Sequence, residues 1–278
     1  MNSKAIISIL LVIYSVEAPP PRRQGCLKPL RGINLRVRAD NMIDLTYDYD
    51  ERAMHWPGNP AGFQLNEVIK GFIGSFYVTY NMMTQPEHIG THVDAPSHFA
   101  EKGLTMEQVD LFNLIGNGVL LDLKNKEGFD SDAFITVDDF LEWERENKGR
   151  IRSGSIVLLY TGHGDVYYDR SKYVGTNITG EEGISHFRYP GLHPSAAEWL
   201  VTKRCIAAVG IDTASLDQAK STTFGAHTTL SAHNIPIFEN IANLDKLATS
   251  RRKFNIIALP QKIAGGSGAP VRVVAVMN

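Results

Sequence analysis

Residues 88–98 of the chain read HIGTHVDAPSH, and Phe99 follows them. Three of the nine histidines of the chain and one aspartate lie within these eleven positions. Neutral imidazole and carboxylate groups are common protein ligands of zinc and manganese. This stretch therefore predicts a site for a divalent metal ion.

The spacing of the four side chains also predicts a bent backbone. They do not share one face of a helix. On a straight strand they do share a face, but four extended residues span about 13 Å, too far for His88 and His92 to bind one ion. We expect the chain to bend at Gly90 and Pro96, two residue types that permit sharp changes of direction.

A second stretch, residues 227–239, supplies further candidate ligands. His227 and Glu239 flank a short apolar segment, 235–238, that we expect to form a strand beneath the first stretch. His233 is an alternative candidate for the same ligand position. If His227 is not a ligand, we expect it to be a helix residue that hydrogen-bonds to the backbone. A carboxylate has two oxygens and can bridge two ions. In one arrangement the first ion is bound by His88, His92 and Asp94 and the second by Asp94, His227 and Glu239, and His98 is left for proton transfer.

Strand-like and helix-like segments alternate in the rest of the chain. The predicted strands cover residues 42–47, 119–123, 156–160, 206–211, 254–259 and 271–276, and residues 72–80 are rich in aromatic and β-branched side chains. The predicted helices cover residues 105–112, 136–148 and 194–203. We find no internal repeat. The pattern predicts a single α/β domain with a mixed sheet, extending from residue 41 to residue 278.

Composition excludes several classes of function. The chain has 278 residues, of which 43% are hydrophobic and 21% charged, so it is not a disordered protein. The formal net charge of -2 provides no basic surface for nucleic acid. Neither Ser195 nor Ser215 lies in a G-x-S-x-G motif, which argues against a serine hydrolase. The glycine-rich residues 265–268 precede a predicted strand and not a helix, so we expect a turn at the pocket rim and not a phosphate loop.

The N-terminus has the pattern of a secretory signal peptide. Lys4 precedes an apolar run from residue 5 to residue 16, and small residues, Val16 and Ala18, follow at the positions typical of a cleavage site. We expect residues 1–18 to be a signal peptide and residues 19–40 a linker or N-terminal arm. The mature protein would then be secreted or in the secretory-pathway lumen, with no membrane-spanning segment.

Secretion would make two further modifications possible, a disulfide bond and glycosylation. Cys26 and Cys205 would enter an oxidising compartment, where they could pair, although the sequence leaves their separation open. Residues 177–179 read NIT, which is a glycosylation sequence.

The run HIGTHVDAPSHF at residues 88–99 resembles the HxGTHxDxPxHF signature of the cyclase-type metal hydrolases, a family that includes bacterial kynurenine formamidase and isatin hydrolase. The similarity continues in residues 56–58, 189–192, 209–217 and 227–240. This resemblance implies a swivelling β/β/α-like fold, usually assembled as a homodimer or larger homo-oligomer. It implies one or two divalent ions, Zn or Mn, bound by His88, His92, Asp94, His227 and Glu239.

The resemblance also assigns roles around the metal. The position of His98 matches the family's proton donor and acceptor, and that of Trp56 a residue that contacts the aromatic ring of the substrate. The family's spacing between its last two ligands matches that from His227 to Glu239 and favours His227 over His233. We expect Phe63 and Phe76 to help Trp56 hold the aryl group. We expect Asp212 and Asp217 to brace the loop that follows residues 206–211. Their alternative role is to support the metal ligands from behind.

These expectations converge on a metal-dependent amidohydrolase. It would cleave an aryl formamide of the N-formylkynurenine type, using a water activated by metal and His98 as the proton shuttle. The alternatives are hydrolysis of an isatin-type lactam, an ester or a lactone, and a secreted metal-binding protein without catalysis. We expect a small aromatic amide as the ligand and no nucleic-acid partner.

Overall fold

The structure is a computed structural model that describes residues 35–57 and 62–278. The predicted signal peptide, most of the predicted linker, and Cys26 lie outside the described residues, so these expectations and the pairing of Cys26 with Cys205 stay predictions.

The strands of the described residues are, in chain order, β1 (Met42–Asp44), β2 (Gln64–Ile73), β3 (Phe76–Thr84), β4 (His92–Asp94), β5 (Ile115–Asp122), β6 (Phe134–Ile135), β7 (Ile156–Tyr160), β8 (Gly191–Leu192), β9 (Ala208–Ile211), β10 (Ile237–Glu239), β11 (Phe254–Pro260) and β12 (Gly268–Met277). The predicted strand at 156–160 is confirmed to the residue. The first predicted strand, residues 42–47, is shorter than expected and ends at Asp44.

The α-helices are α1 (Leu111–Leu114), α2 (Val137–Glu146), α3 (Arg170–Tyr173), α4 (Pro194–Trp199), α5 (Gly225–Ala232) and α6 (Leu244–Ser250). Their ends follow local chemistry. The backbone N–H and the hydroxyl of Thr136 both donate to Asp139 at the start of α2, at 2.7 and 2.8 Å. Pro194 occupies the first turn of α4, where its missing N–H costs nothing. None of the described helices is long and apolar enough to cross a membrane.

Eight strands form one mixed sheet, in the order β1-β12-β11-β5-β7-β9-β10-β4. Strands β5, β7, β9 and β10 run parallel, whereas the pairings of β1, β4, β11 and β12 are antiparallel. The short strand β4 also pairs with β12, which closes the sheet into a barrel-like form. The prediction of a mixed α/β fold is confirmed.

Two apolar layers cover the two faces of this sheet. Ile156 and Leu158 of β7 pack inside the closed sheet with residues of β11 and β12. Val157 and Leu159 point the other way and pack against the layer that contains α2, α4 and α5. Burial on both faces explains why β7 is a continuous apolar run in the sequence and not an alternating one.

Strands β2 and β3 form a separate hairpin, paired only with each other among the described residues. Gly74 lies in its turn with a φ of 62°. The aromatic stretch at 72–80 therefore covers the tip of a hairpin and not one strand. Large apolar side chains of this hairpin are exposed, with Phe72 at 76% and Phe76 at 59%.

Candidate metal centre

The histidine-rich stretch bends, as the spacing of its side chains requires. Gly90 has a φ of 54°, a left-handed conformation that favours glycine, and the chain enters β4 two residues later. The bend turns His88 back toward the strand, so that its Nδ1 lies 2.7 Å from Oδ1 of Asp94. A second change of direction follows β4, where Pro96 begins a short 3-10 helix, Pro96–His98.

The neighbouring strand β10 brings Glu239 to the same place. It runs antiparallel to β4, with Glu239 opposite His92 and Ile237 opposite Asp94. Nε2 of His92 lies 3.5 Å from Oε2 of Glu239 and 3.2 Å from Oδ1 of Asp94. The predicted strand beneath the first histidine stretch is therefore present, at Ile237–Glu239.

Helix α5 contributes His227 from the other side. Its Nε2 lies 3.3 Å from Oδ2 of Asp94 and 2.9 Å from Oε1 of Glu239. His233 is not part of this cluster or of the pocket lining; its Nδ1 hydrogen-bonds the Thr229 carbonyl at 2.8 Å. The structure thus brings together the five side chains predicted as ligands: His88, His92, Asp94, His227 and Glu239.

This donor set fits a divalent metal ion. His92, Asp94 and Glu239 are buried and offer ligand atoms that lie within 4.8 Å of one another. His88, Asp94 and His98 form a second group with ligand atoms at these distances, of which only Asp94 is fully buried. Asp94 belongs to both groups, and a carboxylate shared in this way is compatible with one ion or with two. Imidazole and carboxylate together suit zinc and manganese.

The electrostatics of the cluster favour a positive charge at its centre. Burial alone would lower the pKa of His92, but the neighbouring Asp94 and Glu239 raise it to about 8. Burial alone would raise the pKa of Asp94, but the surrounding His88, His227 and His92 hold it well below its usual range. Buried carboxylates that draw positive charge to one point are what a cation site requires.

Two of the histidines are oriented by partners behind them. Nδ1 of His92 lies 2.9 Å from the Gly90 carbonyl, and Nδ1 of His227 lies 2.6 Å from Oδ2 of Asp217. Because these oxygens only accept hydrogen bonds, Nδ1 carries the hydrogen and Nε2 faces the centre. Asp217 also accepts the backbone N–H of Ala226 at 2.8 Å, which holds the carboxylate at the start of α5. Its role behind the ligands, left open by the sequence, is thereby defined.

His98 has a different environment from the buried histidines. Its ring stacks on that of His88, with 3.9 Å between the ring centroids, and it lines the pocket that opens from the centre. Partial burial lowers the pKa of His98 to about 4, so the imidazole is neutral at neutral pH. A neutral imidazole beside the centre can accept a proton.

A pocket of about 460 Å³ opens above these side chains and has aromatic walls. Trp56 is placed there by the pairing of His55 with Ile89, which joins its segment to the histidine stretch. The Trp56 ring lies 5.8 Å from that of Phe187 and 6.4 Å from that of Phe224. Trp56 therefore lies where a contact with an aromatic ligand is possible.

The structure does not bring the other two predicted aromatic residues to this pocket. Phe76 is the first residue of β3 in the exposed hairpin, and Phe63 precedes β2; neither lines the pocket. Phe99, Phe187 and Phe224 line it instead. Phe99 could have been identified from its place next to His98, whereas no local signal marks Phe187 or Phe224, which reach the pocket through the tertiary fold.

Comparison with known proteins identifies relatives of this chain. The cyclase family model, described as "Putative cyclase", matches residues 43–218. Isatin hydrolase of Roseibium aggregatum is 30% identical over 213 residues, which cover 73% of this chain and 76% of the relative. Kynurenine formamidase of Geobacillus thermodenitrificans is 27% identical over 230 residues, covering 83% of this chain and 94% of the relative.

A solved structure agrees with the fold as well. The crystal structure of an isatin hydrolase bound to the product analogue thioisatinate superposes with a TM-score of 0.73 at 26% identity, covering 85% of this chain and 92% of the other. The match of the family model to more than half of the chain, together with this likeness, shows that the chain belongs to the cyclase family of metal-dependent hydrolases.

Proposed function

We propose that this metal-dependent hydrolase cleaves the C–N bond of a small aryl formamide, of the N-formylkynurenine type. The observation that carries the proposal is a buried cluster of histidines and carboxylates that opens into a pocket walled by aromatic rings. A relative named kynurenine formamidase matches along 83% of the chain, which supports this substrate class.

The metal ligands would be His88, His92, Asp94, His227 and Glu239. A divalent cation bound there supplies polarisation of a carbonyl oxygen and lowers the pKa of a water molecule. We propose one or two ions, Zn or Mn, per chain. Elemental analysis of the purified protein after zinc or manganese loading measures both identity and number.

The side chains of the pocket perform the remaining steps. Trp56, Phe187 and Phe224 bind the aryl ring and exclude water from around it. His98 takes a proton from the attacking water as the oxygen bonds to the carbonyl carbon. It then returns that proton to the leaving nitrogen as the C–N bond breaks, which gives a carboxylic acid and an amine. General acid–base catalysis of this kind contributes about 10²- to 10⁴-fold in rate.

A lactam of the isatin type is the second candidate substrate. The relative named isatin hydrolase is 30% identical, and the aromatic walls of the pocket suit a flat bicyclic ring as well as a single one. Opening of a lactam breaks the same kind of C–N bond, so the two reactions require the same centre.

An assay panel tests these alternatives. The full chain, loaded with zinc or manganese, is incubated with N-formylkynurenine, isatin and phenyl acetate, and each product is followed by absorbance. We expect the formamide to be hydrolysed with the highest kcat/KM. Preferential hydrolysis of isatin would favour the lactam. Hydrolysis of none of the three by protein with bound metal would contradict the proposal and favour a metal-binding protein without catalysis.

We also propose that the chain forms a homodimer through the β2–β3 hairpin. A two-stranded hairpin is marginally stable on its own in water. Here both of its faces carry exposed apolar side chains, including Phe72 and Tyr77 on one face and Ile69 and Tyr80 on the other. A second copy of the chain, which presents the same surface, would cover them.

The proposed place of action is the secretory pathway or the extracellular space, on the basis of the signal-like residues 1–18. The exposed position of Asn177 and Thr179 in a loop is compatible with glycosylation there. N-terminal sequencing of protein from a secreting host tests cleavage. An Asn177→Gln variant tests glycosylation. The wild type should lose mass when it is treated with a glycosidase, and the variant should not. A mature chain that begins at Met1 would contradict secretion by this route.

A further inference from the structure

The loop between β11 and β12, residues 261–267, passes directly behind His88. The hydroxyl Oγ of Ser267 lies 2.9 Å from Nε2 of His88, on the side of the ring away from Asp94. The same serine is held by Glu87, whose Oε2 accepts both the backbone N–H of Ser267, at 3.0 Å, and its hydroxyl, at 2.6 Å. His88 is thus linked through a serine to a carboxylate.

The direction of these hydrogen bonds determines which nitrogen of His88 carries the hydrogen. An ionised carboxylate only accepts, so the hydroxyl hydrogen of Ser267 is donated to Glu87. The serine oxygen is then the acceptor for His88, and Nε2 of His88 must be the donor. Nδ1 is therefore the nitrogen that faces Asp94 and the centre, at 2.7 Å from Oδ1.

His88 differs in this respect from the two other histidine ligands. His92 and His227 use Nδ1 for the bond to their orienting partners, and Nε2 faces the carboxylates. Without a partner at its Nε2, His88 could take either tautomer. The link to Ser267 selects the one that the centre needs.

Gly268 leaves the space that this arrangement requires. A Cβ atom at this position would lie 2.6 Å from Cε1 of His88 and 2.7 Å from the Val93 carbonyl. The loop itself is anchored, because the carbonyl of Ser267 accepts the backbone N–H of Ala95 at 2.8 Å. The imidazole is therefore packed against β12 and held at Nε2 by Ser267, with Nδ1 directed to the centre.

We infer that Glu87 and Ser267 are a positioning pair that fixes the Nε2–H tautomer of His88 and so presents Nδ1 to the metal ion. This inference rests on the proposed metal-binding role of His88. The inference also assigns a role to the glycine-rich residues 265–268, which form no phosphate loop. They help to build the centre by holding His88. Loss of a partner behind a metal-binding histidine typically weakens metal affinity 10- to 100-fold.

The test uses the full chain with zinc as the probe. Glu87→Ala keeps the serine but frees its hydroxyl hydrogen, so both tautomers of His88 become possible. Ser267→Ala removes the partner, and Ser267→Thr keeps a hydroxyl. Glu107→Ala is the matched control, since Glu107 accepts the backbone N–H of Gly265 in the same loop at 3.0 Å and does not contact His88. It also removes the same charge.

Two measurements are made on each variant. The first is the zinc Kd, by competition with a chelator; the second is the long-range ¹⁵N–¹H spectrum of ¹⁵N-histidine-labelled, zinc-loaded protein, with His88 assigned from a His88→Gln variant. We expect the wild type to show Nε2–H at His88. Glu87→Ala and Ser267→Ala should raise the Kd about 10- to 100-fold and add signals of the other tautomer, whereas Ser267→Thr and Glu107→Ala should retain both properties.

Several outcomes would overturn the inference. A hydrogen on Nδ1 of His88 in the wild type would do so, as would wild-type Kd and wild-type spectra in both Glu87→Ala and Ser267→Ala. If Ser267→Ala does not fold, Glu87→Ala alone decides. Zinc binding with the expected spectra but no hydrolysis of any panel substrate would refute the proposed reaction and leave the positioning pair intact. A wild type that binds no zinc would overturn both.

Discussion

His98 is the residue on which the proposed chemistry depends most directly. It is the pocket histidine whose ring stacks on His88, and its environment holds the imidazole neutral. Its nitrogen also falls within one possible ligand group with His88 and Asp94. The two roles, proton transfer and metal binding, predict different consequences when the side chain is removed.

We predict that His98→Ala lowers kcat about 10²- to 10⁴-fold and leaves the bound metal nearly unchanged. The reason is that the five other side chains retain their ligand atoms. Steady-state kinetics and elemental analysis on the same preparation measure both quantities. A variant that loses metal along with activity would make His98 a ligand and not a proton shuttle.

Asp94 is expected to behave in the opposite way. Its two oxygens lie within 3.3 Å of one nitrogen each of His88, His92 and His227, and it belongs to both candidate ligand groups. We predict that Asp94→Asn loses metal and activity together, because an amide retains the shape but not the charge. Asp132→Asn, a change at a half-exposed surface carboxylate, is the control. Full metal loading of Asp94→Asn would refute the assignment.

The residues of the centre were predictable to the extent that they are close in sequence. His88, His92 and Asp94 lie within seven positions, so their chemistry and the bend at Gly90 follow from local spacing. Phe187 and Phe224 reach the pocket only through the tertiary fold. Phe63 and Phe76 are aromatic residues near Trp56 in the chain, but the hairpin carries Phe76 away from the pocket.

At the scale of elements, the division of residues 136–148 into an apolar and a charged side predicted helix α2 well. The helix begins after Thr136 and packs its apolar side on the sheet. The stretch at 72–80 was less informative. Apolar residues on both faces of a hairpin resemble a single buried strand, and only Gly74 marks the turn.

A buried ion pair connects α2 to the turn that follows α4. Arg204 donates to Glu144 at 2.6 and 2.7 Å through two nitrogens, and the side chains are 6% and 10% exposed. Glu144 also accepts the backbone N–H of Ile151 at 2.8 Å. Burial opposes the charged form of Glu144, but the hydrogen bonds from Arg204 outweigh it and lower the pKa of this carboxyl below its usual value.

This pair predicts a pH dependence of stability. Because the pKa of Glu144 is lower in the folded than in the unfolded state, the stabilisation is present above the usual glutamate pKa and is lost as pH falls through the folded value. Glu144→Gln should lower the free energy of unfolding by about 2–3 kcal/mol at pH 7 and by less at pH 3–4. Urea unfolding at both pH values measures this. Glu142→Gln, exposed on the same helix, should show neither effect; equal losses at both pH values would contradict the ion-pair explanation.

At the scale of the whole molecule, closure of the sheet is what assembles the centre. Strand β4 lies between β10 and β12, so that Glu239 and the loop before β12 meet the histidine stretch from opposite sides. Residues separated by about 150 positions in the chain become neighbours through these pairings. The alternation of strands and helices predicted a mixed sheet, but no local pattern specifies that a three-residue strand pairs on both edges.

The hairpin provides the last prediction, which concerns assembly. A specific dimer buries about 1,200–2,000 Å² in total, and a hairpin apolar on both faces is a suitable core for such an interface. Phe72→Lys combined with Tyr77→Lys places two charges on one face of the hairpin, where the rings are 5.4 Å apart and 76% and 54% exposed. We expect the wild type to be a dimer by light scattering after gel filtration, and the double variant a folded monomer.

The control changes exposed apolar residues elsewhere on the surface. Leu111→Lys with Phe112→Lys alters side chains that are 61% and 60% exposed at α1, far along the chain from the hairpin, and should leave the dimer intact. The comparison separates a specific interface from general hydrophobic association, because both double variants remove similar apolar surface and add the same charge. Standard-size interfaces are occupied at a protein concentration of about 10 µM. A wild type that is monomeric at this concentration would therefore refute assembly through the hairpin. So would a hairpin variant that keeps the wild-type mass.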